Sequence, residues 1–80
     1  MDVCIVSNIF KPKDNFTGLA MDMLGNKCCF YNGNIHCNDD AAVKWIDGSK
    51  EWWFNGKFFG KNNCFTVNSW ISFTQLLIFK

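Results

Sequence analysis

Apolar residues in this chain come in short runs broken by polar turn residues, and two of the breaks are alike. Phe30-Tyr31-Asn32-Gly33-Asn34-Ile35 and Trp53-Phe54-Asn55-Gly56-Lys57-Phe58 each place Asn-Gly between apolar runs. That pattern predicts a two-residue type I′ hairpin, whose central residues both need the positive φ that Asn and Gly tolerate best. A second turn signal precedes each hairpin, Leu24-Gly25-Asn26 and Asp47-Gly48-Ser49. Each unit therefore reads as strand, turn, strand, Asn-Gly turn, strand.

Sliding the chain against itself by 23 residues overlays Gly18 to Asp40 on Ala41 to Asn63. Gly25, Lys27, Asn32 and Gly33 fall on Gly48, Lys50, Asn55 and Gly56, while Phe30, Tyr31 and Ile35 meet Trp53, Phe54 and Phe58. Identity at turns with similarity at apolar positions marks two copies of one supersecondary unit. Val3 to Phe10 predicts a further strand, followed by a loop at Lys11 to Asn15. Phe65 to Val67 falls where a third unit would open, and the repeat then dissolves. Asn68 or Ser69 can cap a helix carrying Trp70, Phe73 and Leu77 on one face, although Ile71, Phe73, Leu77 and Phe79 also alternate as a strand would. The expectation is a mainly β single domain over residues 1–80: a small antiparallel meander of two 23-residue hairpin repeats, 18–40 and 41–63, with an N-terminal strand and a short C-terminal helix.

A two-residue hairpin loop fixes which residues face each other, and facing residues share a side of the sheet. Phe30 then faces Ile35 and Trp53 faces Phe58, giving one apolar core face. On the other face lie Cys29, Tyr31, Asn34, His36, Trp52, Phe54, Lys57 and Phe59, with Trp52 opposite Phe59 and Cys29 opposite His36. In a single-layer sheet these aromatics are exposed and suit a protein interface built on Tyr31, Trp52, Phe54, Lys57 and Phe59. The competing expectation is that the terminal helix or a second subunit covers this face, making Trp52 and Phe54 part of a second core.

The 80 residues are 49% apolar and 18% aromatic, enough for one compact core and too few for a second domain. Eight Lys against six Asp and one Glu leave +1, with no Arg, and no like-charge block exceeds two residues. A polybasic lipid binder and an acidic nucleic-acid mimic are both disfavoured. Lys44, Lys50, Lys57 and Lys61 nevertheless surround Trp45, Trp52, Phe54 and Phe59, so a stacking platform for single-stranded nucleic acid is the alternative binding function. Ten Asn, nine Phe, one Pro and no Arg also suggest an AT-rich coding sequence, which suits a virus or mobile element. No run reaches membrane-spanning length and no secretion signal opens the chain, so a cytoplasmic protein is expected.

Cysteines stand at 4, 28, 29, 37 and 64, an odd number that in a reducing compartment points to free thiols. Cys28, Cys29, His36, Cys37 and Cys64 raise a zinc reading. Their spacing matches no standard knuckle, and hairpin register sends Cys28 and Cys37 to one face, Cys29 and His36 to the other. A Cys28 to Cys37 disulfide is the other minor alternative. No phosphate loop, second His or spaced carboxylate pair is present, so no catalytic residue, metal or cofactor is assigned.

Lys44-Trp45-Ile46-Asp47-Gly48-Ser49-Lys50-Glu51-Trp52-Trp53-Phe54-Asn55-Gly56-Lys57 resembles the MORN-like hairpin repeat of phage and giant-virus proteins and of some bacterial toxin-neutralising proteins. Ile35-His36-Cys37-Asn38-Asp39-Asp40-Ala41-Ala42-Val43 resembles a decayed second half of that unit, with Cys37 at the family's Arg position. The resemblance covers about residues 18 to 67. It implies a curved meander of hairpins used as a binding surface, with no catalytic site to carry over, and with the chain ends acting as caps or a homodimer completing the stack. The expected function is non-enzymatic protein binding: a phage or mobile-element protein that inhibits a host factor, such as a defence protein in the manner of an anti-CRISPR, or a toxin. A small self-assembling structural protein is the further alternative.

Overall fold

The computed structural model describes residues 3–78. One mixed sheet carries all the strands: β1 (Val3–Ile5), β2 (Gly18–Met21), β3 (Lys27–Tyr31), β4 (Asn34–Ile35), β5 (Val43–Lys44), β6 (Lys50–Phe54) and β7 (Lys57–Lys61). A 3-10 turn (Asn62–Cys64) leads into helix α1 (Val67–Ile78). The spatial order is β1-β2-β3-β5-β6-β7, with β4 pairing on the far end of β3. All pairings are antiparallel except that of β1 with β2, which is parallel.

The two repeats superimpose in their hydrogen bonding as well as their sequence. Both Asn-Gly turns have positive φ at both positions, 50° and 82° at Asn32-Gly33 and 51° and 80° at Asn55-Gly56, as type I′ requires. The earlier turns match too. Gly25 N–H donates to Asp22 O and Gly48 N–H to Trp45 O, each across a 23-residue shift, with Gly25 at φ 96° and Gly48 at φ 93°.

The Asn-Gly turns also dock each unit onto what precedes it. Asn55 N–H donates to His36 Nδ1 and Gly56 N–H to Ile35 O, so the second hairpin leans on the first. The first hairpin has no predecessor, and its equivalent donors go to the incoming loop, Asn32 N–H to Thr17 Oγ1 and Gly33 N–H to Phe16 O. Residues 16 and 17 thus stand in for a missing hairpin and act as an N-terminal cap.

Four local expectations are corrected. The first strand stops at Ile5 rather than Phe10, because Asn8 folds the chain: its side-chain oxygen accepts Phe10 N–H at 2.9 Å and its carbonyl accepts Lys11 N–H at 3.0 Å. Trp52 pairs with Gly60 instead of Phe59, because a β-bulge interrupts the register between Trp52 and Trp53, while Trp53 keeps Phe58 as its partner. Cys28 lies opposite Val43 of β5, not Cys37. His36 N–H still bonds Cys29 O, but the chain then leaves β3 and Cys37 N–H goes to Trp53 O. Residues 65–67 begin no third strand; the helix starts at Val67, where Thr66 and Ser69 bond reciprocally, Ser69 N–H to Thr66 Oγ1 and Thr66 N–H to Ser69 Oγ. Phe79, the last residue of the alternating pattern, lies outside the described residues.

Two cores sandwich the sheet. Ile9, Phe16, Ala20, Cys28, Phe30 and Val43 form one, with Ile35 and Trp53 packed beside them, so the face chosen from hairpin register is the inner face at these positions. Phe58 stays exposed at its rim, edge-on to Trp53. Ala41, Trp52 and Trp70 form the second core on the opposite face, flanked by Phe54, Phe59, Phe65 and Phe73. Helix α1 makes this second core by laying Trp70 and Phe73 across the second repeat.

Candidate functional site

The helix decides which part of the outer face remains open. Trp52 is 1% exposed beneath Trp70, whose ring centroid lies 5.4 Å away. Phe59 packs edge-on to Trp70 and Phe73, and Phe54 and Phe59 are half-buried. Of the interface expected from sequence, Trp52 is therefore withdrawn and Phe54 and Phe59 are partly covered; Tyr31, 52% exposed, and Lys57 stay accessible. The cause is the aromatic face of the helix, which needs an apolar counterpart and finds one here.

Beside the helix, on the first repeat, the same face is open and concave. Thr17, Gly18, Cys29, Phe30, Tyr31, His36, Cys37, Asn38 and Asp39 line a mainly apolar cleft of about 490 Å³. The 23-residue shift explains it. Gly18, Cys29, Tyr31 and His36 occupy the positions of Ala41, Trp52, Phe54 and Phe59, the residues on which α1 sits in the second repeat. With Cys29 in place of Trp52, the first repeat has a hollow where the second has a filled core. Its wall is the segment 37–39, which also anchors the helix: Trp70 Nε1 donates to Cys37 O at 2.7 Å and Thr74 Oγ1 to Asn38 O at 3.2 Å.

No family model, curated protein or solved structure matches this chain. The site therefore has to be read from its own chemistry. Tyr31, His36 and Phe54 form a row along the rim, with centroids 5.7 Å and then 4.5 Å apart. Lys57 extends it, its ammonium 5.6 Å from the Phe59 ring centroid. His36 accepts Asn55 N–H at Nδ1, which leaves the proton of its neutral form on Nε2, and burial holds its pKa below the ordinary 6.5. It is a neutral positioning group in the turn dock.

The thiols divide in two. Cys28 is sealed in the inner core, where burial pushes its pKa up to about 12. Cys29 and Cys37 both line the cleft, and their mutual interaction is the largest influence on either thiol, lowering the pKa of Cys29 and raising that of Cys37. Cys37 also donates to Asp39 Oδ1 at 2.9 Å. All five cysteines are free, Cys64 being exposed beyond β7. Among the described residues no group of three or more His, Cys, Asp or Glu side chains is placed to hold a metal ion.

Of the four lysines expected to support a nucleic-acid platform, Lys57 alone lies over an aromatic ring, that of Phe59. Lys44 is ion-paired with Asp40, Lys50 lies opposite it, Lys61 pairs in register with Glu51, and Lys57 sits at the other end of its hairpin. The stacking surface is also lost, since Trp52 is buried and half-buried Trp45 donates its indole N–H to Glu51. Sequence alone missed Thr17, Gly18, Asn38 and Asp39 as cleft residues. Their signal was present in the repeat alignment, which equates Gly18 with Ala41, but only the helix position gives that equation meaning. A larger depression of about 710 Å³ lies between Lys11 to Asn15 and the first Asn-Gly turn; it is polar and walled by loop. Among the described residues no helix is long and apolar enough to cross a membrane.

Proposed function

We propose that this chain is a non-enzymatic protein-binding module whose contact surface is the cleft of the first repeat and its Tyr31, His36, Phe54 and Lys57 rim. The observation that carries it is internal. The second repeat fills its equivalent surface with the chain's own Trp70, and the first repeat presents the same surface, hollowed at Cys29, with none of the described residues filling it. An apolar segment of a partner, anchored by an aromatic side chain in the hollow, is the matching occupant. Rigid aromatic rims of this kind supply contact area at low entropic cost. The MORN-like resemblance and the AT-rich composition extend the proposal to a phage or mobile-element protein that blocks a host defence or toxin protein by occupying its surface.

A photo-crosslinking amino acid placed at Tyr31, and separately at exposed Leu76 on the far side of α1, tests it in host lysate at low and high salt. A discrete protein adduct at position 31 that survives high salt and is absent at position 76 supports the proposal. Equal labelling at both positions, or none, overturns it. Nucleic acid recovered only at low salt would revive the platform alternative.

A further inference from the structure

Cys29 and Cys37 are brought together by a departure from regular hairpin geometry. Continued register would put Cys37 opposite Cys28 and on the other face from Cys29. Instead β5 takes the place opposite Cys28, Cys29 N–H bonds Ala42 O, and Cys37 N–H turns away to Trp53 O. Released from the ladder, Cys37 lines the same cleft as Cys29. The two cysteines share that cleft, and Asp39 Oδ1 accepts the Cys37 S–H at 2.9 Å.

We propose that Cys29 and Cys37 form a dithiol site that low-molecular-weight disulfides, such as oxidised glutathione, convert reversibly to an intramolecular disulfide. Cys29 is the attacking sulfur and Cys37 the resolving one. The Cys29 thiolate attacks one sulfur of the small disulfide, forming a mixed disulfide and expelling one thiolate. The expelled thiolate takes the Cys37 proton, and the Cys37 thiolate attacks the Cys29 sulfur, expelling the second thiolate. The two protein sulfurs lose two electrons, the small disulfide gains them, and its two thiolates take up the two protons released.

The electrostatics agree with this division of roles. Interaction with Cys37 and the charge of Lys44 both lower the pKa of Cys29. Interaction with Cys29, burial and the Asp39 carboxylate all raise the pKa of Cys37, so Cys29 is the sulfur that ionises first. Cys28, although next in sequence, is excluded by complete burial. The proposal rests on the cleft geometry alone and does not need a protein partner.

The test is incubation of the full chain with oxidised glutathione, followed by intact mass and by fragmentation of the peptide spanning residues 28–44. Wild type and Cys28→Ser should each become lighter by two hydrogens and return with dithiothreitol. Cys37→Ser should stop at a glutathione adduct on Cys29, and Cys29→Ser should react at least about tenfold more slowly. Limiting iodoacetamide on wild-type protein gives a readout independent of any variant, with Cys29 expected to be labelled first and the preference lost in urea. First labelling at Cys4 or Cys64, or an unchanged course in Cys37→Ser, would overturn the proposal.

Discussion

Glu51 accepts two indole N–H groups, from Trp45 at 2.9 Å and from Trp53 at 3.0 Å. Replacing it with Ala leaves two partly buried donors unpaired, and should lower stability by about 1–3 kcal/mol, read from the urea midpoint. Trp52→Ser removes the centre of the second core and should cost about 3–5 kcal/mol, whereas Tyr31→Ser, at an exposed site, should stay within about 0.5 kcal/mol of wild type. His36 adds a pH dependence. Its folded pKa lies below its ordinary 6.5, so the unfolded chain binds the extra proton and stability falls as pH drops below that value. The slope of the urea midpoint between pH 7 and pH 5.5 should flatten in His36→Asn. Residue identities alone marked Trp52 and Tyr31 as a matched pair on one face; what separates them is a helix contact across 18 residues of sequence, which no local pattern encodes.

Among elements, the hairpins were the most legible in sequence because type I′ turns admit few residues and the chain states Asn-Gly twice. Gly56→Ala imposes a side chain at φ 80° and within 3.4 Å of Asn34 Oδ1, and should destabilise by at least about 1 kcal/mol. The β-bulge at Phe59 was not legible. It arises where Gly60 comes opposite Trp52, at a position where a Cβ would come within 2.9 Å of Cys64 Cβ, a contact made by the chain downstream. The helix starts at Val67, just before the expected caps Asn68 and Ser69, because Thr66 and Ser69 satisfy each other. Trp70→Ala should cost about 3–5 kcal/mol and open the second core to a hydrophobic dye.

At the scale of the whole molecule, the stack has a direction. Each Asn-Gly turn needs two acceptors from the unit before it, and Phe16 with Thr17 supplies them at one end. At the other end β7 is an edge strand, blunted against indiscriminate pairing by Lys57, Lys61 and the bulge. A building plan of this kind can be lengthened from within. A second copy of residues 18–40, inserted after Asp40, would find its acceptors on the existing first hairpin and offer its own to the second. The helix would still seal only the last unit, so the enlarged chain should fold as one cooperative domain, with a urea m-value raised in proportion to the added surface, and present two hollows side by side. The number of docking places would then be set by how many times one 23-residue sentence is repeated before the closing Trp70.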